Sequence, residues 1–104
     1  MGDRYTGNWV DGKKHGQGQY EWKCGDRYVG EFKENLKHGV GSKTWASGCK
    51  YEGEWNLDKM DGLGEFNWPE GDKYYGEYRN GLRHGKGTKL WASGTEYTVI
   101  FDFT

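Results

Sequence analysis

Tyrosine returns every 23 residues along this chain, at Tyr5, Tyr28, Tyr51, Tyr74 and Tyr97, and nothing interrupts the spacing. Glycine keeps the same period at Gly7, Gly30, Gly53 and Gly76, and tryptophan at Trp22, Trp45, Trp68 and Trp91. Of the 19 glycines only Gly2 lies outside a recurring column. A fixed period of roughly 20 to 50 residues belongs to architectures whose units cannot bury a face alone and acquire a core by stacking. The chain therefore reads as one domain, 1–104, built of units 5–27, 28–50, 51–73 and 74–96 and ended by a capping strand over 97–104.

Within the first unit Tyr5, Gly7 and Trp9 alternate with Thr6, Asn8 and Val10, and Gly16, Gly18, Tyr20 and Trp22 alternate with Gln17, Gln19 and Glu21. Period-two alternation marks strands with unlike faces, so each unit is a β-hairpin with one aromatic side. In Trp68-Pro69-Glu70-Gly71 the proline presets φ and the glycine takes the left-handed position, the pattern of a type I turn closed by a bulge, and Gly25, Gly48 and Gly94 hold the same place. The opposite connection puts Gly12, Asn35, Asp58 and Gly81 in one column, where a positive φ is expected. The fold class that follows is all-β: an elongated, twisted single-layer antiparallel sheet of stacked hairpins, about nine strands spanning about 38 Å. Glycines at positions 7, 16 and 18 and their equivalents leave gaps for neighbouring rings to cover.

Aliphatic residues are sparse, but six Trp and eight Tyr replace them, and the net charge is only −1, which argues against disorder. That balance, without long runs of one sign, gives no reason to expect nucleic acid. No apolar stretch reaches the roughly 18 residues of a membrane span and no signal-peptide core opens the chain, so a soluble, cytoplasmic protein is expected. Stacking would set Cys24 and Cys49 about 10 Å apart, beyond disulfide reach, and free thiols in a reducing compartment follow. The start, Met1-Gly2-Asp3-Arg4-Tyr5-Thr6, fits a myristoylation pattern, yet Tyr5 and Thr6 are already explained as strand.

The unit Tyr5-x-Gly7-x-Trp9-x-x-Gly12-Lys13-x-His15-Gly16-x-Gly18, followed by Trp22-x-x-Gly25, resembles the MORN repeat, the membrane occupation and recognition nexus motif. The resemblance recurs from Tyr28 to Gly48, Tyr51 to Gly71 and Tyr74 to Gly94. Phe32 and Asn35 depart from Trp9 and Gly12, and Asp58 and Asp61 from Gly12 and His15. The resemblance implies an extended sheet of hairpins serving as a protein-binding or scaffolding module, sometimes linked to phosphoinositides or to membrane-associated cytoskeleton.

A sheet without an opposing layer is expected to leave part of its aromatic strip open, which makes Tyr5, Trp9, Tyr28, Phe32, Tyr51, Trp55, Tyr74 and Tyr78 the candidate contacts for a protein segment, peptide or helix. The alternative is a peripheral module recognising anionic phospholipid headgroups through a basic loop edge of Lys13, Lys14, Lys37 and Arg83, diluted by Asp11, Glu34, Asp58 and Asp61. His15, His38 and His84 recur about 9.6 Å apart or more, too far to share a metal, and are expected to stabilise loops by hydrogen bonds. Gly81 to Thr88 is a repeat copy and lacks the spacing of a phosphate-binding loop. No catalytic constellation, metal or cofactor is expected. The apolar last strand, Tyr97-Thr98-Val99-Ile100-Phe101-Asp102-Phe103, should turn Tyr97, Val99, Phe101 and Phe103 to the aromatic face and end the ladder, and its unprotected edge suggests a weak homodimer.

Overall fold

A computed structural model describes residues 2–101. They form β1 (Arg4–Val10), β2 (Lys13–Glu21), β3 (Arg27–Lys33), β4 (Leu36–Thr44), β5 (Lys50–Asn56), β6 (Lys59–Asn67), β7 (Lys73–Arg79), β8 (Leu82–Leu90) and β9 (Glu96–Phe101), paired antiparallel in chain order in one open sheet, with no helix among the described residues. The extents are 46 × 31 × 18 Å. Strands of up to nine residues account for the middle figure, and the stack of hairpins for the longest. A flat single layer would be far thinner than 18 Å, so the sheet is twisted and curved. Its radius of gyration, 14.9 Å, exceeds the roughly 13 Å of a compact chain this long.

Both kinds of connection follow the residues placed in them. At the long turns Trp22, Trp45, Trp68 and Trp91 each accept the N–H of the glycine three residues on and donate to the carbonyl four residues on, the bond pair of a type I turn with its bulge. At the tight turns Gly12, Asn35, Asp58 and Gly81 take φ of 75°, 74°, 72° and 84°, as the sequence indicates. The preceding residues are left-handed too: Asp11, Glu34, Leu57 and Asn80, at 46–51°. Positive φ at both central positions is the two-residue hairpin turn whose twist matches the strands. Leu57, at 47°, is the residue least suited to it.

Between turn and sheet each hairpin slips register. Gly30 faces Gly41 while Phe32 faces Lys37, so Glu31 stands against three residues of β4. A surplus of two keeps inward-facing residues on one side of the sheet. The surplus folds out at Gly39, φ 80°, and the Glu31 carboxylate accepts the Val40 N–H at 2.6 Å. Glu54 and Glu77 do the same for Leu63 and Lys86. Gly16, Gly39, Gly62 and Gly85 are thus bulge residues facing Asn8, Glu31, Glu54 and Glu77, and not gaps beneath aromatic rings as expected.

The other glycine columns behave as expected. Gly7, Gly30, Gly53 and Gly76 lie against Gly18, Gly41, Gly64 and Gly87 across the hairpin, and the tyrosine of the same unit lies flat over the second of each pair. A Cβ on Gly41 would collide with the Tyr28 ring. The Tyr28 hydroxyl donates to the Glu31 carbonyl of its own strand at 2.8 Å, as Tyr5 does to Asn8 and Tyr51 to Glu54.

Edge-to-face contacts then join the rings in one zipper. Trp9 meets Tyr5, Tyr5 meets Phe32, and the alternation continues through Tyr28, Trp55, Tyr51 and Tyr78 to Tyr74, with centroids 4.8–5.9 Å apart and planes 78–88° apart. Its six interior rings are the core: Tyr28 and Tyr51 are 0% exposed, Tyr74 1%, Phe32 and Trp55 5% and Tyr78 6%. Trp9, in the first hairpin, is 56% exposed.

Repeat-to-repeat bonds tie the ends of the hairpins. Asn35 and Asp58 each accept the N–H, and donate to the carbonyl, of Lys14 and Lys37 in the unit before. At the other edge Asp3, Asp26 and Asp72 accept the N–H groups of Lys23, Ala46 and Ala92 at 2.8 Å. Cys49 takes the aspartate's place in the remaining unit, and the residue it would serve is Pro69, which has no N–H to satisfy. Cys49 and the exposed Cys24 are both free thiols.

β9 completes the sheet, with Val99 opposite Gly87. Tyr97 lies on the aromatic side against Trp91 and is 59% exposed; Ile100 is 75% exposed. The expectations placed on Asp102, Phe103 and Thr104 fall outside the described residues.

Two substitutions test this account in opposite directions by denaturant unfolding. Gly41→Ala drives a methyl into the Tyr28 ring and should cost about 1–3 kcal/mol. Leu57→Asn relieves a left-handed leucine that is already 54% exposed and should add about 1 kcal/mol.

Candidate functional site

The eight rings singled out in the sequence as contacts are the eight links of the zipper. The six interior ones have no surface to offer, so the expected open strip does not run along this row; only Trp9 and part of Tyr5 are accessible. The cause is the next unit. Tyr28 and Tyr51 are each met by a ring of their own hairpin and by another 27 residues further on, and the pair close over them.

A second row on the same face is open. It runs parallel to the first, from Tyr20 to Trp22 (4.7 Å between centroids), across the Lys43 ammonium held 4.7 Å from Trp22 and 5.0 Å from Trp45, then to Phe66 (5.4 Å) and Trp68 (4.7 Å). Lys89 follows, 3.7 Å from Trp68 and 5.8 Å from Trp91. Tyr20, Trp22, Trp45, Phe66 and Trp68 are half-buried and Trp91 is exposed. This row was missed because its tryptophans look like turn residues. The signal was present in the recurrence of Trp22, Trp45, Trp68 and Trp91 with an aromatic residue or lysine two positions earlier.

Between the two rows lie grooves built from equivalent positions two units apart. Lys14, Tyr20, Trp22, Phe32, Asn35, Lys37 and Asp58 line one of about 240 Å³. Met60, Phe66, Trp68, Tyr78, Gly81, Leu82 and Arg83 line the other, of about 370 Å³. The floor decides their character: where the first groove has Lys14 and Lys37, the second has Met60, leaving apolar walls with a single cation, Arg83.

The residues expected to form a basic loop edge are instead dispersed. Lys14, Lys37 and Arg83 occupy the first inward-facing position of the second strand, and Met60 breaks the column. The Lys37 side chain is 12% exposed, 3.3 Å from Asp58 and within 5.4–5.9 Å of the Trp22, Tyr28 and Trp55 rings. Lys14 lies over Tyr5 and Tyr20, and Arg83 over Tyr74. Lys13 and Arg83 are exposed, and Leu36, Lys59 and Leu82 share the column of Lys13 next to the tight turn.

His15 and His38 hold loops as expected: each Nδ1 accepts the backbone N–H of the next tight turn, from Glu34 at 3.4 Å and Leu57 at 3.5 Å. Asp61, in the histidine's place, does the same for Asn80. Among the described residues no group of three or more His, Cys, Asp or Glu side chains is arranged to hold a metal, and no helix is long and apolar enough to cross a membrane.

Burial sets the electrostatics of the face. Loss of water pushes the Tyr78 phenol up to about 12, and Tyr28 and Tyr51 are raised for the same reason, with the nearby Glu31 adding to the effect at Tyr28. Burial first, and then the charge of Lys37, holds the Lys43 ammonium below the usual lysine range. An unfolded tyrosine ionises near 10 while these stay neutral in the fold, so their contribution to stability is complete below pH 10 and is lost as the pH rises through their raised values. In an alkaline titration, phenolate absorbance from the interior rings should therefore appear together with loss of the far-ultraviolet sheet signal. All rings ionising near pH 10 in an intact sheet would contradict the assignment of the core.

Comparison with protein families gives one match, the MORN repeat, at residues 5–27, 28–50, 51–73 and 74–96, and no curated protein matches the chain. The matched spans coincide with the units set by the tyrosine period and cover nearly the whole molecule. With its stacked hairpins and repeat-matched turns, the chain belongs to the MORN-repeat family.

Proposed function

We propose that this protein is a non-catalytic scaffold or adaptor module that seats a protein segment along the open aromatic row. Its setting is cytoplasmic, with cytoskeletal or membrane association. The observation that carries this reading is the pairing of a closed aromatic zipper with a second, half-buried row of Trp22, Trp45, Phe66 and Trp68 beside the 370 Å³ groove. Rings fixed by packing lose little entropy on binding, and tryptophan and tyrosine anchors carry much of the energy of an interface. MORN repeats occur in protein- and membrane-binding roles and are generally non-catalytic. An open face excludes little water and offers no enclosed site for chemistry.

Affinity capture from a native extract with quantitative mass spectrometry tests the reading. Trp68→Ala and Leu82→Asp, each checked for an intact fold, should reduce the captured partner at least tenfold, as loss of a central anchor does. Leu63→Asp, at a half-exposed site on the opposite face, should leave capture unchanged. Capture lost with Leu63→Asp and kept with the groove variants would move the site to the other face. Sedimentation with phosphoinositide vesicles, unaffected by Trp68→Ala, would favour headgroup recognition instead.

A further inference from the structure

The near-neutral net charge conceals a division between the two faces. Inward-facing strand positions carry Lys14, Lys37, Lys43, Arg83 and Lys89, each over at least one aromatic ring, and no carboxylate. The carboxylates of the strands lie on the opposite side, at Glu21, Glu31, Glu52, Glu54, Asp61, Glu65, Glu77 and Glu96. Some are occupied there: Glu31, Glu54 and Glu77 bind bulge N–H groups and Glu52 pairs with Lys50. Asp58, reaching in from the tight turn, offsets Lys37 at 3.3 Å, so the cationic character of the aromatic face rests on Lys14, Lys43, Arg83 and Lys89.

The charges are also in register with the apolar groove. Lys43 and Lys89 occupy the same position two units apart, about 19 Å, with Phe66 midway between them at the groove wall. Arg83 stands at the rim of the groove itself. An ammonium lying on a ring keeps donors directed away from it, so it can accept a carboxylate on its outer side while the ring supports it from beneath.

We infer that the segment seated on this face is acidic: an apolar or aromatic side chain enters the groove of Met60, Phe66, Trp68, Tyr78 and Leu82 while Asp or Glu residues on either side meet Lys43 and Lys89, and Arg83 adds its charge at the groove. This rests on the peptide-binding reading above and narrows it. In a polyproline II segment, which rises about 3.1 Å per residue and returns to the same face every third residue, about 9.6 Å is three residues, which gives the pattern acid, two residues, apolar anchor, two residues, acid; in a helix the same distances need six or seven residues. Opposed charges of this kind raise association rates and exclude basic partners.

The test is a selection of random 12-residue peptides displayed on phage against the intact chain, followed by fluorescence anisotropy of the enriched peptides. The inference expects enrichment of Asp and Glu on both sides of a Leu, Phe or Trp. It also expects at least tenfold weaker binding to the combined Lys43→Met, Arg83→Met, Lys89→Met variant, shown to be folded by thermal unfolding, and a steep loss of affinity between about 50 and 300 mM salt. Neutral or basic peptides whose binding is lost with Leu82→Asp would overturn the acidic partner and leave the peptide-binding groove standing. Absence of enrichment, or binding indifferent to Leu82→Asp and Trp68→Ala, would overturn both. Vesicles of phosphatidylserine and phosphoinositide that bind with the same dependence on the three cations, where acidic peptides do not, would assign the charge to a lipid surface.

Discussion

A tyrosine ring lying over a glycine is the contact on which the rest of this sheet depends. A single layer has no opposing sheet or helix, so its apolar face must be covered by its own side chains. A ring can lie along the face only if the residue beneath it has no Cβ. That is the position of Gly18, Gly41, Gly64 and Gly87 under Tyr5, Tyr28, Tyr51 and Tyr74. The hydroxyls of the first three tyrosines donate to the backbone carbonyl three residues on in the same strand, which fixes the tilt of each ring. A flat ring then presents a face to the edges of Trp9, Phe32, Trp55 or Tyr78, and the zipper extends by one tyrosine and one partner per unit.

From that contact follows the division of labour across the face. Rings near the tight turns are closed off by the next hairpin, while those near the long turns are supported on one side only and remain half-buried. Lysines fill the positions between, their stems covering ring surface and their charges stabilised by the rings below. Met60 interrupts this filling once, and the groove of about 370 Å³ opens there. The groove is thus opened by a departure from the repeat, on a sheet that the repeat builds.

Hairpins, turn types and unit boundaries were legible in the sequence because each is decided within a few residues. Asn35 and Asp58 declare a positive φ, and Pro69 with Gly71 declare a bulged turn, whatever surrounds them. The candidate site was less legible because burial is decided between units. Nothing within 28–50 says that Trp55 will close over Tyr28, or that Lys37, apparently a loop cation, will sit among Trp22, Tyr28 and Trp55. The replacement of Asp26 by Cys49 likewise looks arbitrary until stacking brings Pro69, with no N–H, opposite it. The bulge glutamates escaped notice for a further reason: on an outward-facing column a glutamate is ordinarily only a solvated charge.

The most direct test of the central claim is a double-mutant cycle at the edge of the sheet, where loss of one ring leaves the interior zipper in place. Gly18→Ala and Tyr5→Leu are introduced separately and together and unfolding free energies measured. If the ring lies on the glycine, Gly18→Ala costs about 1–3 kcal/mol beneath Tyr5 and much less once the ring is removed, giving a coupling energy of about 1 kcal/mol or more. Strictly additive losses would contradict it, and would mean that the glycine column serves the backbone and not the aromatic cover.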